Sequence, residues 1–354
     1  MKNIISILFI CFALLYGMAT AKEYRFEYQK EIEISVKGGL NLSNTSGTVK
    51  IVGAPVDKIS IHAVKNVRAT DADEAEKVAG HIEIKVSKMG NNVVIKTNYL
   101  KMNGGSVSFW DKLFGGGGDS FGPVDYDVVV PLDCTADVEN ISGDVTVSDL
   151  NNEIFINATS GNLYVHNIRG SVNLESVSGD IRIAEIGGDI SISAISSDVK
   201  IDSIAGMVDI RSTSGNTTGS RILGAIAISQ TSGDIELEDI IGDIKVKSTS
   251  GKVQIRQDSG SVDIVTHSGD VDLKTSVLVG GDYYVETGSG RILFSVPATS
   301  SGSINMETIS GDIRSDMPLT IKARSRNKFQ GDFGEKGPEI NLKTLSGDIS
   351  FGQY

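Results

Sequence analysis

Ser160-Gly161-Asn162-Leu163-Tyr164-Val165-His166-Asn167-Ile168-Arg169-Gly170-Ser171-Val172-Asn173-Leu174-Glu175-Ser176-Val177-Ser178-Gly179-Asp180-Ile181 is the stretch whose reading decides the fold. Glycine returns after nine residues and Ser-Gly after eighteen. Steps of nine from Gly143 to Gly269 visit fifteen positions, thirteen of them glycine, with Asn152 and Ser197 the exceptions. The serines at period eighteen, Ser142, Ser160, Ser178, Ser196, Ser214, Ser232, Ser250 and Ser268, form an unbroken series. Behind each of the fifteen positions runs an apolar-x-apolar pair, such as Leu163/Val165 and Val172/Leu174, and fourteen of the fifteen pairs are aliphatic. Alternation with period two marks short strands with one buried face. Two such strands per eighteen residues, separated by glycines free to adopt positive φ, make a coil that turns twice. One coil cannot bury its Ile/Val face alone, so coils must stack, which predicts an all-β chain folded as a parallel β-solenoid. Seven coils at the ordinary strand spacing give a regular rod of roughly 34 Å.

Working outward, a third apolar position recurs at Leu150, Ile168, Ile186, Ile204, Ile222 and Ile240 and fails at Asp258 and Ser276, which predicts a narrowing or bend there. Thr217 and Gly219 replace an aliphatic pair and predict an irregular coil. Ser46-Gly47 reads as an early coil, and Ser301-Gly302, Ser310-Gly311 and Ser346-Gly347 read as late ones. Thr70, Asp71 and Asp73 signal the start of a helix over Ala72 to Ala79. His81 to Ser87 and Val93 to Tyr99 alternate as a hairpin around Met89-Gly90-Asn91-Asn92. Helix and hairpin together are expected to cap the open end of the stack, because an uncovered end strand would pair with other chains.

Forty glycines, six prolines and a 40% hydrophobic content exclude both wholesale disorder and collagen. A net charge of -12 argues against a nucleic-acid partner, which would need clustered cations. Lys2, the apolar run Ile4 to Tyr16 and Ala19-Thr20-Ala21 read as a secretory signal, too short for a transmembrane segment. Its removal takes away one Lys and no acid, so the charge moves from -12 to -13. Cys134 is then the lone thiol, so no internal disulfide is expected and the side chain reads as a small buried hydrophobe. The expected organisation is a signal peptide at 1–21, a cap region at 22–130 with an aromatic, Gly-rich insert at 101–123, a regular solenoid at 131–276 and irregular coils at 277–354.

An N-terminal coil, the acidic helix Asp73-Glu74-Ala75-Glu76-Lys77, the hairpin strand Ile82-Glu83-Ile84-Lys85-Val86, a strand ending Val128-Val129-Val130-Pro131 and the repeated Ser-Gly-Asp-Ile/Val together resemble a bacterial adhesin-like family of domains of unknown function, of the auto-transporter-adhesin-head type. The similarity covers nearly all of residues 31–354. It implies the solenoid fold and carries over no catalytic residues.

The residue after each Ser-Gly forms a polar ladder: Asp144, Asn162, Asp180, Asp198, Asn216, Asp234, Lys252 and Asp270. It lacks the G-G-x-G-x-D pattern of calcium-binding β-rolls, so turn chemistry is the expected role and no metal or cofactor is assigned. His62, His81, His166 and His267 are isolated, and no nucleophile and base stand at a catalytic spacing. Two interruptions of the repeat are the candidate ligand-binding elements. One is the insert with Phe109, Trp110 and Phe114; the other is Lys322, Arg324, Arg326 and Lys328, cations at spacing two that a single strand would project from one face. The function expected is that of an exported, non-enzymatic, adhesin-like protein of the cell envelope, located in the periplasm, at the cell surface or outside the cell. Its expected partner is an envelope polysaccharide or protein. The alternatives are a carbohydrate-active β-helix enzyme and a structural or signalling envelope component.

Overall fold

The computed structural model describes residues 22–35, 37–100 and 122–354. Two long sheets, of fifteen and sixteen strands, face each other across one core. The chain passes from one to the other twice per coil: Val145–Leu150 lies in the fifteen-strand sheet, Ile154–Ser160 in the sixteen-strand sheet, and Leu163–Ile168 returns to the first. The period sets the register. Leu163 pairs with Val145 on one side and Ile181 on the other, and Val172 pairs with Ile154 and Ile190. Apolar residues at alternate positions therefore stack in columns, buried to 2% exposure or less along Val145, Leu163, Ile181 and Val199.

Glycine at the Ser-Gly corner is required by the stacking itself. Gly161 has φ +123°, and a Cβ there would stand 2.2 Å from the carbonyl oxygen of Gly143 in the neighbouring coil. Sequence reading placed only glycine turns, but the coils also bend at a residue that is not glycine. Asp149, Asn167, Glu185, Ser203, Arg221 and Asp239, in six successive coils, have φ between 53° and 61°. Each left-handed residue tucks the following Leu150, Ile168, Ile186, Ile204, Ile222 or Ile240 into the core, which offsets a local cost of about 1–2 kcal/mol.

The change predicted near Asp258 and Ser276 occurs one residue earlier. Gln257 lies opposite Ile240 and is buried, with its side-chain nitrogen donating to Gly242 O at 2.7 Å. Thr275 is buried beside it and donates to Gln257 Oε1 at 2.7 Å. The coil at Thr217/Gly219, expected to be irregular, keeps full register with both neighbours. Thr217 bonds Gln230 inside the core at 2.8 Å, and Leu237, Ile222 and Ile201 fill the volume a side chain at 219 would need.

At the N-terminal end, Gly39–Ser46 and Val49–Ala54 form a first coil that pairs with Thr135–Ser142 and Val145–Leu150. Beyond it the fifteen-strand sheet continues through Val124–Pro131, Lys58–Ala69 and the edge strand Lys22–Glu33, while the other ends in the hairpin Asn92–Tyr99 and Ile82–Met89. The helix Ala72–Gly80 packs against Lys58–Ala69, Lys22–Glu33 and Ile82–Met89 and buries Ala75 and Ala79. Its start is a capping box: Asp71 Oδ1 accepts from Glu74 N and Glu74 Oε2 accepts from Thr70 N, both at 2.8 Å.

At the other end chain order and spatial order diverge. The last coil, Glu339–Ser346 and Ile349–Gln353, inserts between the coil of Tyr283–Ser289 and Ile292–Val296 and the coil of Gly302–Ser310 and Ile313–Ser315. The glycine corners follow the spatial order, with a Cβ at Gly347 meeting Gly290 O and one at Gly311 meeting Gly347 O. Ser310-Gly311 and Ser346-Gly347 are thus true corners. Ser301-Gly302 is not: Gly302 opens a strand opposite Phe333. The antiparallel strands Lys328–Phe333 and Thr320–Arg324 finish the sixteen-strand sheet.

Candidate binding surface

The corner residues are occupied by their own architecture. Asp144 Oδ1 accepts from the backbone N–H of Asn162 at 2.8 Å, Asn162 Oδ1 from Asp180, Asp198 Oδ1 from Asn216, Asn216 Oδ1 from Asp234, and Asp234 Oδ1 from Lys252. Each of these Asx side chains supplies one coil-to-coil hydrogen bond, Asn as well as Asp, while the Asp180 carboxylate pairs with Arg182 at 2.8 Å. Ser160, Ser178 and Ser250 donate to carbonyls of the preceding coil. Among the described residues no three His, Cys, Asp or Glu side chains converge as metal ligands. Cys134 is buried, and burial pushes its thiol up to about 12.

Inside the same corner runs a polar column that sequence reading missed. Asn44, Asn140, Ser176, Ser212, Gln230, Ser248, Thr266, Thr287, Thr308 and Thr344 are all buried. Several bond the corner carbonyls: Asn140 Nδ2 donates to Gly143 O at 2.8 Å and Thr308 Oγ1 to Gly347 O at 3.0 Å. The signal was present as polar residues two places before the corner serines, with Ala158 and Ala194 the exceptions in the regular block.

The outer face of the sixteen-strand sheet carries two broad concavities. Parallel register lines up Ser191, Asp209, Ala227, Lys245 and Asp263 in one outward column and Ser193, Arg211, Ser229, Lys247 and Val265 in the next. Along both columns the short Ser191, Ser193, Ala227 and Ser229 alternate with the longer, charged Asp209, Arg211, Lys245 and Lys247. Bulkier side chains rise at the end, where Tyr284 and Glu286 follow. Two open grooves of about 850 Å³ each run across successive coils here.

Their chemistry differs. One is lined by Asp189, Asp209, Asp243, Asp263 and Asp282, with Met207 and Ala227 between them and Tyr284 at one end. Part of its charge is committed, since Asp189 Oδ1 accepts from Met207 N at 2.8 Å and Asp263 pairs with Lys245 at 3.1 Å. The hydrogen bond to Glu286, with burial, pushes the Tyr284 hydroxyl up to about 12, so it remains a donor. The other groove presents Arg211, Lys247 and His267 among Ser193, Ser229, Thr213, Thr231 and Thr249. Together they offer hydroxyls, carboxylates and cations repeated at strand spacing, suited to an extended polar ligand. The raised carboxyl of Asp137, shifted by burial and then by Glu139, lines neither groove.

Of the sequence-derived candidates, Phe109, Trp110 and Phe114 lie outside the described residues. Lys322, Arg324, Arg326 and Lys328 are exposed but do not share one strand face. The chain reverses at Ser325, whose N–H donates to Lys328 O at 2.8 Å, so Lys322 and Arg324 lie on one strand, Arg326 in the turn and Lys328 on the return strand. A bulge between Ile321 and Ala323 also breaks the alternation. Lys322 pairs with Asp332 at 2.7 Å, while Arg324 lies opposite Phe329.

The family model described as Toastrack DUF4097 matches residues 31–239 and, in a second overlapping match, 185–351. No curated protein matches the chain. Among solved structures it is similar to a candidate cell adhesion protein from Clostridium sporogenes, at 11% identity over 94% of this chain and 100% of that one, with a TM-score of 0.21. A candidate adhesin from Bacteroides fragilis matches at 10% identity over 92% and 97%, with a TM-score of 0.33. A candidate lipid-binding protein from Parabacteroides distasonis matches at 14% identity over 93% and 96%, also with a TM-score of 0.33.

Proposed function

The chain belongs to the Toastrack DUF4097 family, and from that premise we propose that it is an exported, non-catalytic, adhesin-like binding protein of the cell envelope. Its partner is an envelope polysaccharide or protein held along the flank of the solenoid. One observation carries this reading: hydroxyl and charged side chains from successive coils line two grooves on one sheet face, whereas the corner residues are already committed to coil-to-coil bonds. A long, shallow, repetitive surface favours broad contact over the localised cleft that catalysis requires.

The test is binding of the purified protein to arrayed bacterial surface polysaccharides and envelope proteins, beside a variant carrying Ala227→Trp and Ser229→Trp. These side chains point outward into the two grooves, so filling them should weaken binding at least about tenfold with little change in melting temperature. Wild-type binding by the filled variant would overturn the flank as the site. New reducing ends appearing in a bound polysaccharide would favour the alternative of a carbohydrate-active enzyme.

A further inference from the structure

We propose that the C-terminal end of the solenoid seats on an anionic lipid surface, through the cationic hairpin Thr320–Phe333 and the exposed aliphatic side chains beside its turn. Two separate features meet there. The first is charge: from Met317 to Gly331 the chain has Lys322, Arg324, Arg326 and Lys328 and no acid, on a protein of net charge -12. Asp332 engages Lys322, but Arg324, Arg326 and Lys328 have no ion pair among the described residues. The nearby acids are Glu307, in register with Lys328, and Glu286, which stands 3.7 Å from Lys343.

The second feature is apolar exposure. The turn is tied to the neighbouring strand, since Asn327 O accepts from Thr308 N at 3.0 Å and Asn327 Nδ2 donates to Ile309 O at 3.2 Å. Ile309 is 66% exposed, and Leu345, which follows the paired Thr308 and Thr344, is 46% exposed next to it. Ile321 on the hairpin is 53% exposed. A soluble polyanion would satisfy the cations and leave these aliphatics in water. A bilayer interface satisfies both, taking the apolar side chains into the acyl boundary while anionic headgroups meet the arginines. Leu345 also lines the end of one flank groove, so the lipid contact adjoins that groove; the hairpin cations, Ile309 and Ile321 line neither groove, and this inference does not depend on what the grooves bind.

Cosedimentation with vesicles tests it. The protein should pellet with phosphatidylcholine vesicles that contain phosphatidylglycerol, not with pure phosphatidylcholine, and added salt should release it. Replacing Arg324→Gln together with Arg326→Gln should weaken partitioning about 30-fold, from roughly 1 kcal/mol per cation at such a surface. Ile309→Ser with Ile321→Ser, neither of which lines a groove, should weaken it about tenfold and leave the salt dependence in place. The groove-filled variant with Ala227→Trp and Ser229→Trp should bind vesicles like wild type, which separates failure here from failure of the flank site. All these substitutions are at the surface, and matching melting temperatures confirm that the variants are folded. Equal binding to both vesicle types, or wild-type partitioning by either hairpin-end pair, overturns the proposal. So does pelleting without vesicles, which marks a second copy as the partner, or capture by dextran sulfate without vesicle binding, which marks a soluble polyanion.

Discussion

The two edges of the stack solve the same problem in different ways. At the Ser-Gly edge the chain turns through glycine at positive φ from Gly47 to Gly311, even where the coils are out of chain order, with Ser197 the exception among the described corners. The opposite edge has its own glycines, from Gly170 to Gly260 at steps of eighteen, also packed against the backbone of the neighbouring coil; six coils add a left-handed Asp, Asn, Glu, Ser, Arg or Asp three residues before that corner, and this second device then stops. Past Asp239 the core position it served is taken by Gln257 and Thr275. Further along, Phe294 and Phe351 replace the aliphatics of the inward column, with ring centroids 6.2 Å apart, and Phe333 approaches Phe351 at 5.1 Å. A corner fixed by backbone contact between coils varies little, with Ser197 the one substitution on the Ser-Gly edge. A bend fixed by what it delivers to the core can be traded for another way of filling that core.

The comparison presumes that both edges enclose one continuous interior, and the strongest way to break it is to charge that interior. Ile192 and Ile210 are register partners, both buried. Either Ile→Asp change buries a carboxylate with no partner and should cost about 4 kcal/mol or more. Thermal unfolding would then show either a collapse of the melting temperature or failure to fold. Wild-type melting for both would mean that the columns do not face inward.

What was legible in the sequence follows the same division. The Ser-Gly period could be counted because backbone contact selects glycine at every position but Ser197, so the strands, the stacking and the register could be read from it. The capped helix and its hairpin were legible from local signals at Thr70, Asp71 and Gly90. The left-handed bend was not, because Asp149, Glu185 and Arg221 share no side-chain property; only the aliphatic that follows each one repeats. The interleaving of Glu339–Gln353 was hidden for a related reason, since every corner repeats the same motif and the motif does not say which coil is next. On the flank, the groove linings are outward residues that vary from coil to coil, short in one and charged in the next, whereas the period lies in the apolar positions between them. The cationic stretch was legible as charge but not as a hairpin, because Ser325 to Asn327 carries no glycine to announce the turn.

Swapping the two edges' residues sharpens the comparison at intermediate cost. Gly161→Ala sets a Cβ 2.2 Å from a backbone oxygen that the stack holds in place, at φ +123°, and should destabilise by about 3 kcal/mol. The converse change, Glu185→Gly, removes a Cβ from a residue at φ 59° whose side chain is exposed. Relief of left-handed strain opposes the greater freedom glycine gives the unfolded chain, so the net effect should lie within about 1 kcal/mol of zero. Denaturant melts of the pair should therefore be strongly asymmetric. Equal losses would show that both edges are held by side-chain contacts and that the distinction drawn here is wrong.

The smallest expected effect concerns the polar ladder on the glycine edge. If its carboxylates held cations, the edge would owe its constancy to a ligand as well as to backbone packing. Asp234 Oδ1 accepts from Lys252 N at 2.8 Å, and Asn216 performs the same task for Asp234 at 2.9 Å, so the geometry needs an acceptor oxygen and not a negative charge. Asp234→Asn keeps that oxygen and should shift stability by less than about 0.5 kcal/mol. Excess chelator should likewise leave the β-sheet circular dichroism and the melting temperature of the wild type unchanged. A chelator-induced fall in melting temperature that Asp234→Asn reproduces would make the ladder a cation site. Amide and carboxylate would then not be interchangeable at this corner, and the invariance of the glycine edge would have to be traced to bound ions.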